Sequence, residues 1–257
     1  MHNDPKQNIE TIRSIAPVNY RNFHLWMIIP FVISLVGFSY SYYARLSSAT
    51  FHQHVHAISA TLWYILVIVQ PYLITRKKNY NKHRSLGAMS LIVAGMVAGS
   101  AFAIIPKNID NVSTLDPKGF FNPTAAYFFA LIDFVLVCMF VISVVYSIRA
   151  IKKRDLTGHV QWLVASVFAV LSPGLGRMLG IVAIMINKGN MEGITFMSLA
   201  IPTLITMVVL IVFYYFKYGS FKHPSFILLI LCHIPFLFAG WLGDNEMLRQ
   251  VLGAIFK

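Results

Sequence analysis

Seven apolar runs, separated by short polar stretches, set the reading of this chain. The first covers Leu25 to Tyr43, and others follow at about 54–75, 85–105, 123–148, 159–186, 194–217 and 224–242. Each is close to the roughly 20 residues that an α-helix needs to cross the hydrocarbon core of a bilayer. The runs are continuous rather than alternating, which excludes a β-barrel pattern. The expected architecture is therefore all-α, a polytopic transmembrane bundle of seven spans. The first run exceeds the roughly 7–15 apolar residues of a signal peptide and is expected as a span. Three regions follow: a polar tail over 1–23 with Pro5 and Pro17, a transmembrane domain over 24–243, and a short interfacial helix over 244–257. In that last stretch, DNEMLRQVLGAIFK, the apolar residues recur at helical spacing.

Composition agrees. The chain is 57% hydrophobic and 12% charged, against about 25% charged in a water-soluble domain. The net charge of +12 would suit a nucleic-acid partner, but the basic residues fall in short loops. There they act as topogenic charge and attract anionic lipid. Fourteen lie in the tail and in the second–third, fourth–fifth and sixth–seventh loops, six lie in the opposite set, and Arg177 lies within a span. This bias predicts an internal N-terminus and an external C-terminus, with lipid rather than nucleic acid as the partner. The cysteines, Cys138 and Cys232, fall inside apolar runs and are expected as buried free thiols.

Several spans carry marks of packing. Gly95 with Gly99, and Gly176 with Gly180, form G-x-x-x-G pairs that let helix backbones approach. Pro173, Pro202 and Pro235 are each expected to bend a helix.

Polar groups at bilayer depth are costly, so each needs a reason. Asp133 and Arg177 are the only charged residues within spans, and helical rise puts both in the outer half, within reach of one another. Gln70 and His233 join them as candidate lining of a binding cavity. His52 and His56 share one face at the start of the second run, and with His233 they form a candidate zinc or copper site. At the inner side, His83 opens the third span and His159 the fifth. Two histidines at one depth are the minimum for bis-imidazole haem ligation, with Arg84 and its basic neighbours suited to the propionates.

The spacing His56, Gln70, His83-Arg84, Gly87 resembles an uncharacterised family of bacterial multi-pass membrane proteins. In that family a histidine opens a span, a glutamine closes it, and an HR-x-x-G segment opens the next. The stretch GHVQWLVASVFAVLSPGLGR is similar too: His159 and Trp162 match an H-x-x-W segment and Arg177 an arginine at the far end. Val160 and Gln161 stand where that family has basic residues. The resemblance implies a multi-pass protein of the inner (plasma) membrane and adds Trp162 to the cavity residues.

More distantly, the histidines on the third and fifth spans are similar to one ligand pair of the ascorbate-reducible transmembrane b-type cytochromes. That likeness implies at most one haem, because the fourth span offers Asp133 rather than a histidine partner for His56. Three functions are thus expected in order. The first is a redox or respiratory protein with one b-type haem, and the second a transporter or small-molecule-binding protein. The third is a metal-dependent membrane hydrolase using His52, His56 and His233. A small-molecule ligand or a redox partner is expected accordingly.

Overall fold

The computed structural model describes residues 20–110 and 112–256, and among them it contains helices and no strand. The tail expected over 1–23 lies almost wholly outside the described residues. Helix α1 (Phe23–Phe38) is apolar but shorter than a full crossing. Five helices are long and apolar enough to cross a membrane: α2 (Phe51–Thr75), α3 (Tyr80–Ile104, prolonged by a turn to Asp110), α4 (Pro123–Lys152), α7 (Phe196–Tyr218) and α8 (Pro224–Asp244). Helices α5 (Leu156–Ala169) and α6 (Ser172–Ile186) qualify only together, as one span bent by 48°. The chain is thus a helical membrane protein with five or six long apolar helices. The final helix, α9 (Glu246–Phe256), is too short to cross.

Sequence chemistry explains the boundaries. Thr50 and Gln53 form a reciprocal capping box, so α2 starts at Phe51 and carries His52, His54 and His56 on helix rather than in a loop. Asn122 caps α4 and Pro123 takes its first position, where no N–H is needed. Asp155 caps α5 through the Gly158 N–H at 2.7 Å. The expected fifth span breaks around Val170–Leu171 because Pro173 has no N–H to continue the ladder. Pro235 does the same in α8, where residues Ile234–Phe238 tighten into a 3-10 turn.

Helices α2 and α3 pair closely, as do α4 and α5, while α6 lies against α1 and α7. The core joins Trp63, Phe140, Phe168 and Tyr214 from four helices, all at most 2% exposed. The two G-x-x-x-G pairs behave differently. Gly176 packs on Thr203, and Gly180 on Phe120 and Leu199. Gly95 and Gly99 meet nothing, because they lie on the outward face of α3; the packing expected of them is not made. Close backbone approach occurs instead between Gly37 of α1 and Gly174 of α6.

On α9, Leu248, Leu252 and Phe256 pack on Ile105, Ile109 and Ala130, while Met247, Val251 and Ile255 face outward. The helix is apolar along both stripes.

Candidate functional site

Polar side chains gather at two levels of the bundle. One lies toward the end that carries the basic loops at 76–79, 152–155 and 219–223, here the basic end. The other lies toward the opposite, far end.

Near the far end, α2, α3, α4 and α6 each contribute. His56 of α2 places Nδ1 3.1 Å from Ser100 Oγ of α3. Ser100 donates its own proton to the Met96 carbonyl at 2.6 Å, so His56 must be the donor in that pair, and its Nε2 carries a lone pair. Ser59 lies 3.4 Å from the same hydroxyl. Asp133 of α4 accepts from Asn108 Nδ2 at 3.2 Å. Arg177 of α6 donates to the Pro173 carbonyl at 2.9 Å, and its guanidinium lies 4.8 Å from the Phe38 ring and 5.9 Å from Phe196.

The charge of Arg177 acts on both His56 and Asp133. Asp133 and Arg177 do not form an ion pair: among the described residues the one ion pair within 4.0 Å is Arg249–Asp244. Asp133 is instead bonded to Asn108, and Arg177 lies against the two rings. Arg177 has five N–H donors and uses one on the protein, with no other bond among the described residues. Asp133 and Arg177 are enclosed by protein yet each keeps part of its surface accessible. An open crevice of about 440 Å³ lies between the segments at 118–120 and 191–195. Its Phe120 ring packs 4.5 Å from Phe196, the same ring that flanks Arg177.

Near the basic end, the carboxamide of Gln70 donates to His83 Nδ1 at 2.6 Å and to the His83 carbonyl at 3.2 Å, and accepts from the Gly87 N–H at 2.8 Å. This bond puts the imidazole proton of His83 on Nε2. His159 Nδ1 donates to the Ser147 carbonyl at 3.1 Å, with Ser147 Oγ at 2.8 Å, which leaves a lone pair on its Nε2. Arg84 is exposed. Trp162 is buried against Tyr146, at 4.9 Å, and His223, at 5.5 Å, and serves as packing.

The expected metal trio is not assembled. His52 is exposed at the start of α2. His233 is 1% exposed and has both nitrogens engaged, Nδ1 with the Leu229 carbonyl at 2.7 Å and Nε2 with Ser172 Oγ at 2.8 Å. Among the described residues no three His, Cys, Asp or Glu side chains stand where they could hold one ion. His233 therefore belongs to the core rather than to a shared cavity with Asp133.

Residue type alone gave no signal for Asn108, Ser100, Ser147, Phe38 or Phe196, which are common in any span or loop. Helical phase offers some: Ser147 falls on the same face of α4 as Asp133.

No protein-family model, curated protein or solved structure significantly matches this chain.

Proposed function

We propose that this is a multi-pass membrane protein that binds a small solute bearing an anionic group, as a transporter or receptor does, at the Arg177–Asp133–His56 level. One observation carries the reading: Arg177 is half-buried within a span, stands apart from Asp133, and uses one of its five donors on the protein. A guanidinium held in that state is costly unless something completes its hydrogen bonds. A carboxylate or phosphate does so with two parallel N–H···O bonds. Asp133 and the Nε2 lone pair of His56 would then accept from a donor group on the same molecule, which favours a zwitterion or a hydroxylated anion. The crevice beside Phe120 is the route of access.

Loop charge supports placing this level toward the outside of the cell membrane, with seven crossings in which α1 makes the first and α5–α6 the fifth. The resemblance to bacterial multi-pass proteins favours the inner membrane.

The test is thermal stabilisation of the detergent-purified protein by glycine, acetate and inorganic phosphate, set against neutral analogues of the same size. A melting shift with an anionic or zwitterionic compound that vanishes in Arg177→Gln is the expected result. Equal response of wild type and Arg177→Gln across the panel would sink the reading.

A redox reading, one b-type haem between His83 and His159, is favoured by the presence of both histidines at the basic end of the bundle. The fit is partial. The Ser147 carbonyl orients His159 as a metal-ligating histidine is usually oriented, with Nε2 free. His83 does not fit in this hydrogen-bonded state, because Gln70 holds its proton on Nε2. Haem would supply electron transfer if bound. A Soret band that disappears in His159→Ala would favour it, and its absence from haem-supplemented preparations would remove it.

A further inference from the structure

The two polar levels are linked. On α2, fourteen residues separate His56 from Gln70; on α4, fourteen separate Asp133 from Ser147. In an α-helix that is about 21 Å and nearly four whole turns, so each pair lies on one face and the two levels run parallel. Between them the same faces carry Ser59 and Trp63 on α2 and Ser143 on α4, and Trp63 meets α4 edge-on at Phe140, 5.2 Å away.

Two of these groups have no partner. Trp63 is 2% exposed and Ser143 0% exposed, and neither Trp63 Nε1 nor Ser143 Oγ has a hydrogen bond in the protein. A buried polar atom left unpaired costs about 1–3 kcal/mol. Such groups are ordinarily satisfied by internal water. At both levels beyond them stand imidazoles whose Nε2 atoms are spare: a lone pair on His56 and on His159, an N–H on His83.

We propose that the chain conducts protons between its two polar levels through a hydrated file past Trp63 and Ser143. A proton from water at the basic end binds the His159 Nε2 lone pair and leaves again to internal water. The Ser143 hydroxyl accepts a proton on Oγ and releases its own on the other side. Trp63 only donates, so it anchors a water and does not relay. Ser59 and Ser100 line the file as acceptors, and at the far end the His56 Nε2 lone pair takes the proton from internal water and releases it to bulk water. Each relay returns to its starting state, and a pH gradient or membrane potential supplies the drive, with no redox partner needed. This function goes beyond solute binding at Arg177 and does not depend on it.

The test uses the full-length protein in liposomes loaded with potassium and the pH dye pyranine, with valinomycin imposing a negative interior. Wild type should acidify the lumen several-fold faster than protein-free vesicles. Ser143→Val should fall to within twofold of the protein-free rate, while Ser143→Thr, equal to valine in size but still a hydroxyl, should keep at least half the wild-type rate. Wild-type acidification at the protein-free rate would overturn the proposal, and so would full flux through Ser143→Val. If neither variant folds, exchange of the Trp63 indole N–H into D₂O, followed by NMR on reconstituted wild type, decides. Exchange within minutes supports the hydrated file; protection beyond a day overturns it. Solute binding is read separately from the Arg177→Gln melting shift, so either idea can fail alone.

Discussion

Gly37 and Gly174 press their backbones together where α1 crosses α6: a Cβ on Gly37 would overlap the Gly174 carbonyl oxygen. Backbone cannot step aside as a flexible side chain can, so this contact tolerates no added atom.

Gly37→Ala should therefore destabilise the bundle by roughly 1–3 kcal/mol, the usual cost of overpacking. Gly95→Ala and Gly99→Ala should do the reverse, since each added methyl meets open space and alanine is the better helix former by up to about 1 kcal/mol. Melting temperatures of the three variants in one detergent check the contrast. A neutral Gly37→Ala would mean that α1 is not docked on α6.

Replacing a poorly satisfied enclosed charge by an apolar side chain of similar length is commonly neutral or stabilising. Arg177→Met is expected to melt at or above the wild-type temperature while losing the response to anionic solutes. A variant that unfolds would instead mark Arg177 as structural.

His233 should matter for stability alone. Its ring links the Leu229 carbonyl to Ser172, so His233→Ala leaves both a cavity and unpaired groups, at a cost of about 2–4 kcal/mol. Metal content, measured by mass spectrometry before and after, should not change.

Stability should also fall with acid through His223, which caps α8 by accepting from the Ser225 N–H at 3.2 Å. Burial holds its pKa below the ordinary 6.5, and Asp155 opposes this only in part. The unfolded chain then binds the proton more readily than the folded one, so stability rises with pH. The contribution is complete above the ordinary value and declines as pH drops below it, toward the lower folded value. His223→Asn keeps a capping acceptor without a titrating group. Melting curves from pH 8 to 5 should be flatter for that variant than for wild type.

The membrane class of this protein is written plainly in its apolar runs, and the rarity of Asp133 and Arg177 marked them before any coordinates. Gln70 was expected beside Asp133 and Arg177, but the short basic turn that holds the end of α2 against the start of α3 binds it to His83 and Gly87 at the basic end instead. Other features were hidden by averaging. A window over 159–186 stays apolar through the break, so Pro173 registers as a bend rather than as the end of one helix and the start of another. The first run counts Tyr40, Tyr42 and Tyr43 as apolar, although helix α1 ends at Phe38. For Asp133 and Arg177 the sequence offered a shared depth and left their pairing open. Depth fixes level, not rotation about each helix axis, and Asn108 arrives from a turn that no periodicity announces. The metal trio failed for another reason: His52 is exposed at the start of α2, and His233 spends both nitrogens on the core.

The break around Val170–Leu171 also divides the bundle into mechanical halves. Helix α5 is bound to α4, whereas α6 is bound to α1 through the two glycines and to α7. Arg177 therefore shares its helix with the contacts to α1 and α7, while the contacts to α4 lie on the other side of the break at residues 170–171.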